Sequence, residues 1–140
     1  MTKTAIVSGG FDPVHVGHID LFNKSKYLLG VNELIVILNT DAFLVKKKKK
    51  WFMPFEERRI VLENLRMVDL VFASVDKNET VCESLKELRR VRPIDDLFFC
   101  NGGDRTDGAN TPEHLVCAEL GMHTVYGLGE KIQSSSWLTQ

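Results

Sequence analysis

Short apolar runs alternate along the chain with longer stretches in which apolar residues recur every three or four positions. The runs are rich in Val, Ile, Leu and Phe, which is typical of strands buried in a sheet. The longer stretches have the spacing of helices that cover such a sheet. The pattern predicts strands over residues 4–8, 31–38, 69–74, 96–100 and 123–126. It predicts helices over residues 19–29, 54–65, 80–90 and 111–120, and a short terminal helix over 134–138.

Residues that begin and end helices agree with this division. Pro54 stands near the start of the second helix, and Thr80 with Glu83 three residues later predicts a capped start for the third. Thr111 opens the fourth helix and Gly121 ends it. Alternating strands and helices predict an α/β fold, in which one Rossmann-like domain over the whole chain has an open parallel sheet with helices on both faces.

Ligands of open parallel sheets bind outside the carboxyl ends of the strands. Three stretches follow predicted strands and should meet at that edge. They are residues 9–18, a loop over residues 39–50 and a loop over residues 101–110.

The first stretch reads Gly-Gly-Phe-Asp-Pro-Val-His-Val-Gly-His over residues 9–18. Because it lies between a strand and a helix, backbone N–H groups and the helix dipole can hold a polyphosphate there. His15 and His18 share one helix face, and Gly17 lets a ligand approach the backbone. The alternatives are capping or surface histidines, and a metal pair with Asp12. No further His or Cys lies at ligand spacing nearby, which disfavours the metal pair.

This stretch resembles the G-x-F-D-x-x-H-x-G-H signature of the nucleotidyltransferase superfamily, which includes cytidylyltransferases and adenylyltransferases. The resemblance implies that an acceptor phosphate attacks the α-phosphorus of a nucleoside triphosphate and pyrophosphate leaves. His15 and His18 would be catalytic, donating hydrogen bonds to the phosphoryl oxygens. The residues implied to bind the nucleotide are Gly9, Gly10, Phe11, Asp12 and Gly17.

Five consecutive lysines occupy residues 46–50. Taken alone, such a run is usually solvated surface. Its place after the second predicted strand puts positive charge at the ligand edge, where it can attract anionic substrates. The segment also resembles the S/N-T-D-x-F…K-x-K region of glycerol-3-phosphate cytidylyltransferases. That resemblance implies a catalytic Lys46 and substrate contacts from Asp41 and Lys47.

Three further segments resemble the same family. Arg66 matches a phosphate-binding arginine, with an exposed helix-end arginine as the alternative. Residues 101–106 resemble the G-G-D loop, and residues 131–138 resemble the I-S-T-T motif without its usual upstream arginine. A plain turn and an ordinary helix cap are the alternatives for these two. The resemblance implies nucleotide contacts from Gly103, Asp104, Lys131, Ser134, Ser135 and Ser136, and a substrate contact from Arg105.

Composition and net charge narrow the functional classes to which the protein could belong. The chain has 140 residues and a net charge of -1, which gives no indication of nucleic-acid binding. No apolar run approaches the length of a membrane span, and the sequence opens without a signal-peptide pattern. Cys82, Cys100 and Cys117 are odd in number and widely spaced, which predicts buried thiols in a reducing cytoplasm rather than disulfides, a zinc site or a catalytic thiol.

The sequence and the resemblance together predict a cytoplasmic nucleotidyltransferase. It would transfer CMP from CTP to a small phosphomonoester such as glycerol 3-phosphate, with Mg²⁺ accompanying the nucleotide and no metal held by the protein alone. It would have no nucleic-acid or membrane partner, and the resemblance implies a homodimer. The alternatives are an adenylyltransferase that uses ATP on a sugar phosphate of the heptose type, and a non-catalytic nucleotide-binding regulator.

Overall fold

The computed structural model describes residues 2–78, 80–101 and 111–128. Within these ranges the strands form one sheet in the order β3-β2-β1-β4-β5, and every neighbouring pair is parallel. This confirms the predicted open parallel sheet. The strands are β1 Lys3–Gly9, β2 Glu33–Leu38, β3 Leu70–Ala73, β4 Asp96–Cys100 and β5 His123–Val125.

Helices connect the strands and cover both faces of the sheet, as predicted. The first helix continues into a π-helical segment over Lys24–Leu28. No helix within the described ranges is long and apolar enough to cross a membrane. The helices are α1 Val16–Asn23, α2 Asp41–Lys48, α3 Phe55–Glu63, α4 Cys82–Val91 and α5 Pro112–Glu119.

Two apolar cores lie on opposite faces of the sheet, because successive side chains of a strand point to opposite sides. On one face, Val7 of β1 packs in a cluster with Phe22 of α1 and Leu62 of α3. On the other face, Ile6 of β1 packs in a cluster with Leu85 of α4. The helices of the two faces therefore hold the carboxyl ends of the strands in place.

The predicted loop over residues 39–50 is wrong, because helix α2 occupies most of it. Thr40 caps this helix, and its Oγ1 accepts a hydrogen bond from Phe43 N at 3.1 Å. Phe43 and Leu44 are buried and anchor the helix to the sheet. Lysine is a good helix former, so the lysine run extends this helix until Lys49 adopts a left-handed conformation at φ 71°.

The predicted cap of the third helix is also wrong. Helix α4 begins at Cys82, and the cap is supplied by Asp76 from several residues upstream. Asp76 Oδ2 accepts from Glu83 N at 2.8 Å, and its Oδ1 accepts from Ser84 N at 3.0 Å. By contrast, the predicted cap of the last described helix is confirmed, because Thr111 Oγ1 accepts from His114 N at 3.3 Å. The terminal helix predicted over 134–138 lies outside the described residues.

Candidate active site

The buried carboxylate of Asp12 ties the turn between β1 and α1 to the loop that precedes α3. Asp12 Oδ2 accepts a hydrogen bond from Phe52 N at 2.5 Å, and its Oδ1 accepts one from Met53 N at 2.6 Å. Asp12 is 7% exposed, so both oxygens serve the loop that precedes α3. In the structure Asp12 therefore positions the turn, and its predicted nucleotide contact stays a prediction.

The apolar residues of the turn also pack against neighbouring parts of the protein. Phe11 is buried, with its ring edge-on to His18 at 4.8 Å between centroids and to Phe22 at 5.2 Å. A side chain at Gly10 would come within 2.7 Å of Leu44 Cδ2, so glycine allows helix α2 to approach the turn. Gly10 and Phe11 thus shape the turn, and their predicted nucleotide contacts stay predictions.

The two histidines form a stacked pair at the start of α1. Their ring centroids are 3.7 Å apart and their planes differ by 23°. His15 Nδ1 accepts from Gly17 N at 3.1 Å, and His18 Nδ1 accepts from His15 N at 3.3 Å. A nitrogen that accepts a backbone N–H carries no proton, so these bonds assign the proton of each neutral ring to Nε2. Both rings therefore have an Nε2–H group as their donor.

Burial keeps both rings neutral in the ligand-free protein. It lowers the pKa of His15 below its ordinary value. It lowers the pKa of His18 to about 3, with smaller contributions from the neighbouring His15 and from the positive charge of Lys48. At neutral pH the site thus offers two uncharged N–H donors, and the negative charge of a bound phosphate would raise both pKa values.

A wholly buried arginine joins the segments around this turn. Arg58 Nη1 donates to Gly10 O at 2.9 Å and to Asn39 O at 2.7 Å, and its Nε donates to Met53 O at 2.9 Å. Its Nη2 forms an ion pair with Asp41 Oδ1 at 2.7 Å. One guanidinium therefore fixes the ends of β1 and β2, the start of α2 and the loop before α3.

Sequence reasoning missed Arg58. The signal that could have found it is helical spacing, since Arg58 lies four residues before the buried Leu62 and so faces the sheet. Its neighbour Arg59 points to solvent, where it pairs with Glu56 and Glu63. Asp41, predicted to bind substrate, is the ion-pair partner of Arg58 in the structure.

The lysine run is placed differently from the prediction. Lys46 Nζ donates to Lys77 O at 3.2 Å, in the segment that follows β3. The lysine whose charge acts on His18 is Lys48, two residues further along α2. The side chain of Lys47 is not among those that the structure describes. The phosphate contacts expected of Lys46 and Lys47 stay predictions, and Lys48 joins them as a candidate because its positive charge acts on His18.

Arg66 is not brought to this site. It is exposed and follows the end of α3, just before the point where Asp69 N donates to Leu34 O at 3.0 Å near the start of β2. Arg66 thus lies at the amino edge of the sheet, opposite the histidines. The remaining predicted site residues, at positions 103–105, 131 and 134–136, lie outside the described residues.

A cleft of about 350 Å³ opens beyond the end of β1, next to the histidine turn. Its wall includes Gly9, together with Asn39 and Asn101, which directly follow the flanking strands β2 and β4. The predicted nucleotide contact of Gly9 stays a prediction. Asn39 Oδ1 and Asn101 Nδ2 are buried without a hydrogen-bond partner among the described residues. The cleft is a candidate ligand site because it lies at the carboxyl ends of the strands, where ligands of open parallel sheets bind.

Among the described residues we find neither a reactive thiol nor a cluster of metal-ligating side chains. Burial raises the pKa of Cys100 to about 11 and that of Cys117 to about 12, and it also raises that of Cys82. All three thiols are free and protonated at neutral pH, which confirms the prediction of buried structural cysteines for Cys100 and Cys117. Across the described part of the chain, no three metal-ligating side chains come together.

Several known proteins are similar to this chain. It is 41% identical over 69 residues to glycerol-3-phosphate cytidylyltransferase from Bacillus subtilis, covering 49% of this chain and 52% of that protein. It is 45% identical over 60 residues to phosphopantetheine adenylyltransferase from Shouchella clausii, covering 43% and 33% respectively. The chain thus spans about half the length, or less, of these curated relatives.

The fold is shared with a solved protein across nearly its whole length. The lipopolysaccharide core biosynthesis protein from Thermoplasma volcanium superimposes with a TM-score of 0.69 at 22% identity, covering 90% of this chain and 96% of that one. The model of the cytidylyltransferase-like family matches residues 6–124, from β1 into β5. This match includes the stacked histidines, the buried arginine and the cleft, and the chain belongs to the cytidylyltransferase-like family.

Proposed function

We propose that the protein transfers a nucleotidyl group from a nucleoside triphosphate to the phosphate of a small phosphomonoester and releases pyrophosphate. The observation that carries the proposal is the pair of Nε2–H donors of His15 and His18 at the N-terminus of α1. The preferred substrates are CTP and glycerol 3-phosphate, supported by the identity to the Bacillus subtilis cytidylyltransferase.

The reaction forms one bond and breaks one. An oxygen of the acceptor phosphate attacks the α-phosphorus, and the bond from that phosphorus to the bridging oxygen of the leaving pyrophosphate breaks with its electron pair. Negative charge rises on the α-phosphate oxygens and on that bridging oxygen. The Nε2–H groups of His15 and His18 and the N-terminus of α1 stabilise this charge, and Lys48 adds a positive charge nearby.

The structure supports a catalytic role based on positioning. The acceptor phosphate is already an anion, so the attack requires no general base from the protein. The stacked imidazoles are fixed by their backbone hydrogen bonds, and the turn that carries them is fixed by Asp12 and Arg58. Donors that are ordered before the reaction need no reorganisation when the charge develops.

Mg²⁺ belongs to this proposal as part of the substrate. Within the described ranges the acidic and histidine side chains do not form a group of three that could ligate a metal. Mg²⁺ usually binds through substrate phosphates with one or two carboxylates. We therefore propose that the ion arrives with the triphosphate.

The identity of the nucleotide is a separate part of the proposal. Because the chain is also similar to an adenylyltransferase, ATP is the second candidate. The test measures pyrophosphate release with each of the four nucleoside triphosphates, Mg²⁺ and a panel of phosphomonoesters, together with the shift in melting temperature that each nucleotide causes. Turnover and the largest shift with CTP support the cytidylyl proposal, whereas both with ATP replace it.

A nucleotide-binding regulator would give a third result. It would show shifts in melting temperature and no pyrophosphate release with any pair of substrates. That outcome would overturn the proposed transferase activity and leave nucleotide binding intact.

We also propose that the protein forms a homodimer through the region beside the first motif. Val16 at the start of α1 is 59% exposed, and Phe52, whose backbone binds Asp12, is 61% exposed. Apolar side chains at that level of exposure are suited to an interface. Light scattering should give twice the chain mass of 15.9 kDa at micromolar concentrations, and a mass near 15.9 kDa would contradict the dimer.

A further inference from the structure

A groove of about 600 Å³ lies between strand β3 and helix α4. Among the described strands, β3 stands at one edge of the sheet, and Phe72 and Val75 give the groove an apolar side. Val75 is 51% exposed. The groove is on the face of the sheet that packs against α4, opposite the face covered by α1 and α3. It therefore shares no residue with the histidine turn or with the surface proposed above for the dimer.

Charged side chains of α4 form the other side of the groove, and their signs alternate along the helix. Residues three or four positions apart are neighbours on a helix surface, so these charges share one face. The buried residues of α4, such as Leu85 and Leu88, pack against the sheet instead. In chain order the charged residues of this face are Glu83, Lys86, Glu87 and Arg90.

Within the helix these charges form two exposed ion pairs. Lys86 Nζ lies 3.4 Å from Glu83 Oε1, and Arg90 Nη2 pairs with Glu87 Oε1. The four side chains are between 37% and 69% exposed, and ion pairs with such exposure contribute little to stability. These charges can therefore exchange their partners for charges of another molecule with little loss to the fold.

The order of the signs fits a second copy of the same helix that runs antiparallel. In a contact about a two-fold axis between residues 86 and 87, residues at equal distances from the axis face each other. Glu83 then faces Arg90 of the partner subunit, and Lys86 faces Glu87 of the partner subunit. The symmetry repeats both contacts, so every charge of the face meets its opposite. A parallel helix in the same register would set each charge against its own kind.

We propose that the exposed face of α4 is a self-complementary interface, which binds α4 of a second copy of this chain in antiparallel orientation. Complementary charges fix the orientation and register of an interface more than they add affinity. Phe72 and Val75 add apolar surface beside the charges. The association is therefore reversible and favoured by high protein concentration and low salt. It joins two of the dimers proposed above, or two single chains if that dimer does not form.

Sedimentation equilibrium of the full chain measures this association. At about 50 mM NaCl the mass should double between about 10 and 500 µM protein, and Kd should be at least about tenfold higher at about 500 mM NaCl, because salt screens exposed charges. Arg90→Glu places like charges opposite each other and should raise Kd at low salt by about tenfold or more. The matched control is Arg59→Glu on α3, which changes the net charge equally and should leave Kd unchanged.

A charge swap tests the register. The double variant Glu83→Arg with Arg90→Glu restores opposite charges across the axis and should recover the wild-type Kd within about threefold. It disturbs the ion pairs within the helix more than Arg90→Glu does, so recovery can arise only from contacts between chains.

Cysteine variants in a Cys82→Ser background provide an independent measurement. About the same axis, residue 86 is displaced along the helix from residue 86 of the partner subunit by one position, about 1.5 Å. Residue 83 is displaced from its counterpart by seven positions, about 10 Å. On mild oxidation Lys86→Cys should therefore form a disulfide between chains, whereas Glu83→Cys on the same face should not.

The interface is refuted if the mass of the wild type does not rise with concentration at low salt, or if Arg90→Glu and Arg59→Glu change Kd equally. A double variant that associates no better than Arg90→Glu refutes the antiparallel register, and so does equal cross-linking of the two cysteine variants. The cysteine variants decide the matter if Arg90→Glu does not fold. None of these measurements uses nucleotide turnover, so the proposed function and the interface can fail separately.

Discussion

Replacing Arg58 with methionine should destabilise the protein far more than its place on a charged helix suggests. The change removes hydrogen bonds to three backbone carbonyls and the ion pair with Asp41. Each bond from a charged donor contributes roughly 1.5–3 kcal/mol. Methionine recovers some packing and removes the cost of burying a guanidinium, which offsets part of the loss. The net expectation is a fall of about 4 kcal/mol in the free energy of unfolding.

Urea denaturation of Arg58→Met and of its neighbour Arg59→Met provides the test. Arg59 has the same side chain on the same helix, but its ion pairs lie at the surface, so its variant should unfold close to the wild-type midpoint. A loss of about 4 kcal/mol corresponds to a melting temperature roughly 15 °C lower for a chain of this size. Equal losses in the two variants would refute the claim that Arg58 joins the segments of the site.

Three further predictions concern single side chains. Burial lowers the pKa of His18 to about 3. Below pH 6.5 the unfolded chain therefore binds a proton at this residue that the folded chain excludes. The free energy of unfolding is highest above pH 6.5 and falls on acidification. Between pH 6.5 and 5 the wild type should lose about 2 kcal/mol more than His18→Asn, in which only the smaller contribution of His15 remains. Urea midpoints that fall equally in both proteins would contradict this. Lys48→Ala should raise KM for the anionic substrates and weaken its dependence on ionic strength more than Lys46→Ala does; equal effects would contradict the placement of Lys48 near His18. Asp76→Ala should lower the melting temperature by several degrees because α4 loses its cap, whereas Thr80→Ala should change it little; the reverse order would restore Thr80 as the cap.

The sheet and most of its helices could be predicted because their signals are local. Runs such as residues 31–38 alternate with helical spacing at distances that one element spans, and the cap at Thr111 lies next to the helix that it begins. Helix α2 was missed because a run of lysines indicates solvated surface, while its two buried anchors, Phe43 and Leu44, provide too short a pattern to set a helical phase.

The contacts that assemble the site could not be predicted, because they join residues far apart in the sequence. Arg58 reaches Gly10 across 48 positions, and Asp12 reaches Met53 across 41. The sequence identified His15 and His18 through their motif, but it could not indicate which ring nitrogen carries the proton. That follows from the backbone N–H groups that each Nδ1 meets once the turn is folded.

The central claim is that the histidine Nε2–H groups stabilise charge during nucleotidyl transfer. The most direct measurement is single-turnover pyrophosphate release from CTP and glycerol 3-phosphate by the wild type and by His18→Asn, whose amide oxygen can still accept the His15 N–H. We expect the rate of the variant to fall by about 10²–10⁴-fold with a smaller change in substrate binding, as for the loss of a preorganised donor. A folded variant whose rate stays within about threefold of the wild type would contradict the claim.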